Sequence, residues 1–245
     1  MIRPMTKEER QRSKEREQAN RSPTVLIDGD IIAYRAAYYA EDKEAEDAED
    51  KVDDLIGFIL EQTTFDGQPY EVYLTGSGNF RYDISSEYKA HRKGEKPLWL
   101  PHVRDYLIEH WGAVVSDGEE ADDLISIRAT QLGPHTIVAS VDKDFLQLPC
   151  KHYNFGRGEW STVEHFDGLK FFYSQVLSGD AADNVIGLYG VGPVKANKKL
   201  EGAETEMDLY NRCIEAYDGD VDKVIENARL LWLRREVGEI WQPPA

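Results

Sequence analysis

Thr136-Ile137-Val138-Ala139-Ser140-Val141-Asp142-Lys143-Asp144 is a run of apolar and small residues that ends in two carboxylates. It stands a short way after Glu119-Glu120-Ala121-Asp122-Asp123. The first stretch reads as a buried strand, and the second as the acidic opening of a helix. Carboxylates crowded at one place repel one another and resist ionising together. A divalent cation removes that conflict, and hard cations such as magnesium take oxygen ligands. The pattern therefore points to a metal-dependent enzyme acting on phosphate esters.

Strands alternate with helices on both sides of this stretch. Val25-Leu26-Ile27 reads as a short buried strand ending at Asp28, followed by a helix over 31–40. A helix is expected at 52–62, a strand at 71–74, a helix at 100–111 and a strand at 113–115. A helix over 121–132 then leads into the strand at 136–141. This alternation implies an α/β fold with a mainly parallel sheet. After Phe172 the pattern is helical only, with amphipathic segments near 207–217 and 221–233. The expected organisation is a charged, disordered tail over 1–22, an α/β core over 23–170, a helical unit over 171–240 and a frayed tail over 241–245. The stretch 41–51 reads as a surface loop or an exposed helix.

Composition sets further bounds. The chain has 245 residues and 41% hydrophobic residues, enough for a real core. Its two cysteines, Cys150 and Cys213, suggest neither a disulfide framework nor a zinc cluster, so a reducing cytoplasm is the default expectation. No apolar run approaches the roughly 20 residues that span a bilayer, and no membrane role is expected. The formal charge of −17 argues against indiscriminate nucleic-acid binding. The acids are clumped, however: Glu41 to Asp54 holds nine acids against two lysines. Basic residues cluster between Arg81 and Lys96, interleaved with Phe80, Tyr88 and Trp99. Cations and rings in alternation suit a nucleic-acid strand, through phosphate contacts and base stacking.

In an open parallel sheet, ligands bind beyond the carboxyl ends of the strands. Asp28, Thr75, Glu120–Asp123 and Asp142/Asp144 all fall at or just after expected strand ends. Each acid alone could be a cap or a turn residue, with Asp30 capping the helix that begins at Ile31. That reading becomes strained when applied to every site at once. Asp180 and Asp183 add a pair at i and i+3, on one face of a helical turn. Gly190-Val191-Gly192-Pro193 followed by Lys195 reads as a tight turn within a helix–turn–helix over Ala181 to Leu200. Its amides could hold a phosphate.

Taken in order, these residues resemble the 5′ nuclease family of flap endonucleases and 5′–3′ exonucleases, phage exonucleases in particular. The resemblance runs through Asp28-Gly29-Asp30 with Tyr34-Arg35, Asn79-Phe80-Arg81 and Tyr88-Lys89-Ala90-His91-Arg92. It continues through Glu120-Ala121-Asp122-Asp123, Asp142-Lys143-Asp144 and Gly179-Asp180-Ala181-Ala182-Asp183-Asn184. Gly187 and Gly190 to Ala196 complete it as a helix–three-turn–helix. The resemblance implies a PIN-like core with a helical subdomain and two Mg2+ or Mn2+ ions. Asp28, Glu120 and Asp122 would hold the first ion. Asp142, Asp144 and Asp183 would hold or support the second, with Asp123 and Asp180 close by. It assigns Lys89, Arg92 and Arg81 to the scissile phosphate. Tyr88, Lys93, Gly190, Gly192 and Lys195 would contact nucleic acid, with a potassium ion at the turn.

The activity so implied is metal-dependent hydrolysis of phosphodiesters from the 5′ side, leaving a 5′ phosphate and a 3′ hydroxyl. The substrate would be duplex or flapped DNA, or an RNA–DNA hybrid, in DNA replication. The protein would act as a monomer in the cytoplasm of a cell, a phage-infected one if the phage likeness holds. Where many members of the family have Asp, this chain has Thr75, a poor metal ligand able to orient a metal-bound water. The alternatives are a PIN-type ribonuclease, a catalytically disabled duplex-binding protein, and a haloacid-dehalogenase-type phosphatase. The last is suggested by Val25 to Asp30, but it leaves Glu120–Asp123 and the glycine turn unexplained.

Overall fold

The computed structural model describes residues 23–64, 69–92 and 94–245. The expectations for residues 1–22 and for Lys93 lie outside the described residues. Strand β1 (Thr24–Asp28) leads into α1 (Gly29–Tyr39) and α2 (Ala45–Thr63). Next come β2 (Tyr70–Ser77), the short α3 (Arg81–Ile84), α4 (Leu100–Trp111), β3 (Val114–Asp117), α5 (Ala121–Leu132) and β4 (Thr136–Ala139). A hairpin of β5 (Lys151–Asn154) and β6 (Glu159–Thr162) precedes α6 (His165–Ser178). The two-residue strands β7 (Gly179–Asp180) and β8 (Val185–Ile186) then lead to α7 (Pro193–Lys199), α8 (Glu206–Ala216) and α9 (Val221–Leu231).

The six-stranded sheet has the order β3-β2-β1-β4-β5-β6. Its neighbours pair in parallel except β6, which runs antiparallel to β5. The chain therefore leaves β1 towards one edge and later returns to β4 on its other side. That reversal opens a crevice at the carboxyl ends of β1 and β4. Register fixes what faces it: Asp28 pairs with Tyr73 and Ile27 with Ala139, so Ser140 and Thr75 follow just beyond.

Side chains alternate across a strand, and the alternation separates two layers. Val25, Ile27, Val72, Leu74, Ile137 and Ala139 pack with α1, α2 and α4. Leu26, Tyr73 and Val138 face α5 together with Phe145 and Leu148. Full burial of each such aliphatic side chain contributes about 1.5–3 kcal/mol. Gly29 lets α1 start hard against β2, because a Cβ there would stand 2.5 Å from the Tyr73 carbonyl oxygen.

A third apolar cluster joins α6, α7, α8 and α9 through Phe172, Tyr173, Val176, Leu200, Leu209, Cys213 and Ala228. Helix α6 runs across position 170, so the expected break between core and helical unit falls inside a continuous helix. The acidic stretch expected as a loop or an exposed helix is mostly the first half of α2. The end of the chain also differs from expectation. Trp241 is 4% exposed and packs against Phe172, Tyr173 and Tyr210, so the tail is anchored at its first residue. Leu233, earlier in the same segment, belongs to the cluster under the sheet. The segment from Leu231 to Trp241 thus touches both the sheet layer and the helical unit. Replacing Trp241 with Ala should cost about 3–5 kcal/mol in urea unfolding; a loss below about 1 kcal/mol would show that the tail holds nothing together.

Candidate active site

The crevice at the ends of β1 and β4 is a cleft of about 540 Å³, lined by Asp28, Asp30, Glu120, Asp122, Asp142, Asp144, Asp180 and Asp183. Lys89, Arg92, Lys96, Arg104 and Lys143 line it too. Another cavity, of about 570 Å³, is mostly apolar, lies against Trp232, Trp241, Leu148 and Leu169, and shares none of these residues.

Each acid is placed by its local backbone. Asp28 ends β1 and caps α1, accepting from the Ile31 N–H at 3.2 Å. It also accepts from the Ser140 hydroxyl at 2.6 Å. Asp30, expected as that cap, stands instead in the first turn of α1. Glu120 is the N-cap of α5, in a reciprocal capping box with Asp123. Asp142 opens the turn after β4 and accepts from the Asp144 N–H at 2.9 Å. Asp144 accepts from the Gln175 side-chain amide of α6 at 2.7 Å. Asp180 and Asp183 do not share a helical turn. Asp180 lies in β7 and Asp183 in the turn joining β7 to β8, so the helix before the glycine turn is α6.

Burial and crowding set the electrostatics. Burial, then repulsion from Asp30 and Asp142, pushes the Asp28 carboxyl up to about 7 against the hydrogen bond from Ser140. Asp122 is raised well above its ordinary value by burial and by Asp28, Glu120 and Asp142. Asp144 is pushed up to about 7 by burial and by Asp142 and Asp180. Burial works the same way on Glu120, but Lys89 and Arg81 outweigh it and hold that carboxyl below the usual range.

The basic side chains sit on the acids. Lys89, in a left-handed backbone conformation with φ 54°, pairs with Glu120 and lies 3.5 Å from Asp183. Arg92 pairs with Asp183 at 2.7 Å, and Lys143 with Asp180 at 2.8 Å. Among the described residues no three acidic, His or Cys side chains close on one point as metal ligands do. The donor set still suits a hard cation. It offers oxygen donors, several of them buried and repelling one another.

Asp123, Arg81 and Tyr88 do not line the cleft, and neither does the glycine turn. Asp123 is fully buried and accepts two hydrogen bonds from the Arg81 guanidinium, at 2.7 and 2.9 Å. Arg81, 2% exposed, also donates to the carbonyls of Leu230 and Trp232, so it is an internal cation rather than a phosphate contact. Tyr88 is 2% exposed, and its hydroxyl oxygen lies 2.7 Å from Asp183 and 2.9 Å from Glu120, so its one proton is shared between the two carboxylates. It orients those two acids and offers no ring to a base. At the glycine turn, Gly190 has φ 70° and its carbonyl accepts from the exposed Lys195 at 2.7 Å. The turn and α7 expose Tyr189 and Val194 to solvent. Lys143 and Arg104, which line the cleft, and Ser140 and Gln175, which hold its acids from behind, were not anticipated. Lys143 had a signal, lying between two acids; the others enter only through tertiary packing.

The chain matches a family model described as the 5′–3′ exonuclease, N-terminal resolvase-like domain, over residues 23–170. It is 30% identical to "Flap endonuclease Xni" of Shewanella piezotolerans over 164 residues, covering 59% of this chain and 64% of that protein. It is 30% identical to a "5′-3′ exonuclease" of Mycoplasma pneumoniae over 220 residues, covering 76% and 74%. The chain spans slightly less than two thirds of the relatives from Shewanella piezotolerans, Shewanella halifaxensis and Shewanella sediminis. In fold it is similar to the T5 D15 protein co-crystallised with metal ions, with TM-score 0.69 and 16% identity over 85% of this chain and 88% of that one. It is also similar to the catalytic core of Rad2 in complex with DNA substrate, with TM-score 0.51 and 15% identity over 86% and 74%.

The two kinds of acid should respond oppositely to substitution. Asp123→Ala leaves the Arg81 guanidinium buried without its carboxylate and should cost about 3–5 kcal/mol of unfolding free energy. Asp122→Asn removes a repelled carboxylate and should leave metal-free stability unchanged or raised. Urea unfolding in EDTA checks both, and equal losses would contradict the assignment.

Proposed function

The chain belongs to the 5′–3′ exonuclease family, and from that premise we propose that it is a divalent-cation-dependent 5′ nuclease. The observation that carries this reading is the single cleft in which eight carboxylates from separate elements face Lys89 and Arg92. The substrate proposed is duplex or flapped DNA, or the hybrid of RNA with DNA, cut from the 5′ side to leave a 5′ phosphate and a 3′ hydroxyl by a monomeric protein.

Asp28, Glu120 and Asp122 are the residues proposed for one Mg2+ or Mn2+ ion, and Asp142, Asp144 and Asp183 for a second, with Asp180 beside them. Cations bound there would supply Lewis acidity and neutralise charge at the phosphodiester. The protein's own groups do the rest. Lys89 and Arg92, which rest on Glu120 and Asp183, would turn to the phosphate as it enters and offset its growing charge. Tyr88 would hold Glu120 and Asp183 in place while those cations leave. Ser140 fixes the orientation of Asp28. The turn from Gly190 to Lys195 would grip the duplex backbone through its exposed amides and the Lys195 ammonium, with a potassium ion. Among the described residues no helix is long and apolar enough to cross a membrane.

A 5′-labelled duplex and a matching 5′-flap substrate test the proposal. Short 5′ products should form with Mg2+ or Mn2+ and vanish with EDTA. Asp144→Ala should abolish cleavage and keep duplex binding, and Lys89→Ala should slow single-turnover cleavage by roughly 100-fold. Binding without cleavage under every cation would refute the nuclease reading, and a near-normal Lys89→Ala rate would remove that lysine from the mechanism.

A further inference from the structure

The strands that bound the cleft do not contribute alike. β1 ends in Asp28, and the turn after β4 brings Asp142 and Asp144. β2 brings only Thr75, at the point where its pairing with β3 is interrupted between Leu74 and Ser77. The Thr75 hydroxyl oxygen is engaged, accepting the Ala121 N–H at the start of α5 at 3.0 Å.

A carboxylate nevertheless stands at that point. Asp30 Oδ2 accepts the Thr75 N–H at 3.0 Å, and Asp30 Oδ1 accepts from Arg104 of α4 at 2.7 Å. Arg104 closes the ring by donating to the Thr75 carbonyl. The Asp30 side chain is held at both oxygens, lines the same cleft as Asp28, and is 23% exposed. Capping does not explain it, because Asp28 already caps α1. Stability does not explain it either: a part-exposed ion pair is worth about 0–1 kcal/mol. An ionised carboxyl has about four lone-pair positions, and these two bonds use one on each oxygen.

We infer that Asp30, locked by Arg104 and the Thr75 amide, is a positioning residue for cations in the cleft and supplies the negative charge that β2 lacks. The inference rests on the metal-dependent reading of the cleft. Asp30 acts from the edge, by setting the charge beside Asp28 and orienting water around a bound cation. Groups in that role typically change metal affinity by about 10–100-fold when removed.

Mn2+ titration of the full chain without nucleic acid, followed by the electron paramagnetic resonance signal of free Mn2+, tests it directly. Asp30→Asn keeps the shape and an acceptor for Thr75, so its urea midpoint should stay near that of the parent chain. Its Mn2+ affinity should fall by about 10–100-fold, and the Mg2+ concentration for half-maximal cleavage should rise while the rate at saturating Mg2+ is largely kept. Asp30→Glu, which keeps the charge, should lie closer to the parent, and Thr75→Asp placed on Asp30→Asn should restore affinity. Unchanged Mn2+ affinity in Asp30→Asn, or lost stability with unchanged affinity, would overturn the inference and leave the nuclease reading standing. Failure of the parent chain to bind Mn2+ would instead overturn the metal-dependent reading beneath it, and this inference with it.

Discussion

The architecture depends on one buried ion pair. Arg81 and Asp123 are almost wholly removed from water, where an ion pair survives only if its remaining hydrogen-bonding groups are satisfied. Here they are. Asp123 takes two bonds from Arg81, one from the Glu120 N–H and one from the Arg234 N–H. Arg81 gives two further donors to Leu230 and Trp232, and its Nη1 also stands 3.5 Å from Glu120. Three segments distant in sequence are thereby fixed together: the turn after β2, the start of α5, and the end of α9 with the residues that follow it. The Phe80 ring beneath the Arg81 and Arg234 guanidinium groups closes the arrangement. Because Asp123 also helps to cap the helix that presents Glu120 and Asp122, the ion pair sets the position of the cleft's acidic wall.

The cleft itself carries the opposite electrostatic condition. Asp28 and Asp122 repel each other, Asp144 is repelled by Asp142 and Asp180, and all three are held towards their protonated forms. Lys89, Arg92, Lys143 and Arg104 relieve the acids that they can reach. Strain of this kind is expected where a protein is shaped for a partner that brings its own charge. The four basic residues pair with Glu120, Asp183, Asp180 and Asp30, whereas among the described residues no cation forms an ion pair with Asp28, Asp122 or Asp144. That division separates the acids most in need of an added cation from those already paired.

Much of this was legible in the sequence, for identifiable reasons. β1 and β4 announced themselves as continuous apolar runs, because burial on both faces demands it. The ends of those runs were marked by Asp28 and Asp142. The β5–β6 hairpin was not foreseen: its outer strand is exposed throughout and carries no apolar alternation. Arg81 and Asp123 were read as site residues because they sit among site residues in sequence. What separates Asp122 from Asp123 is one step around a helix, about 100°, which sends one side chain into the cleft and the other into the core. Only the position of α5 against Arg81 decides which is which. Arg104 left no trace in sequence, being far from Asp30 along the chain.

The path of the segment from Leu231 to Trp241 bears on how the molecule comes apart. After building the helical unit, the chain doubles back to place Leu233 under the sheet and Trp241 among the helices. It is a staple between two apolar clusters, with arginine contacts along its length. Two lobes joined by a simple linker can open and close on a hinge, each keeping its own fold. Two lobes stitched by a returning segment melt together, because neither can leave without pulling the other's core residues into water. The helical unit is therefore not a detachable module: parting it from the sheet would pull Leu233 out from beneath the strands.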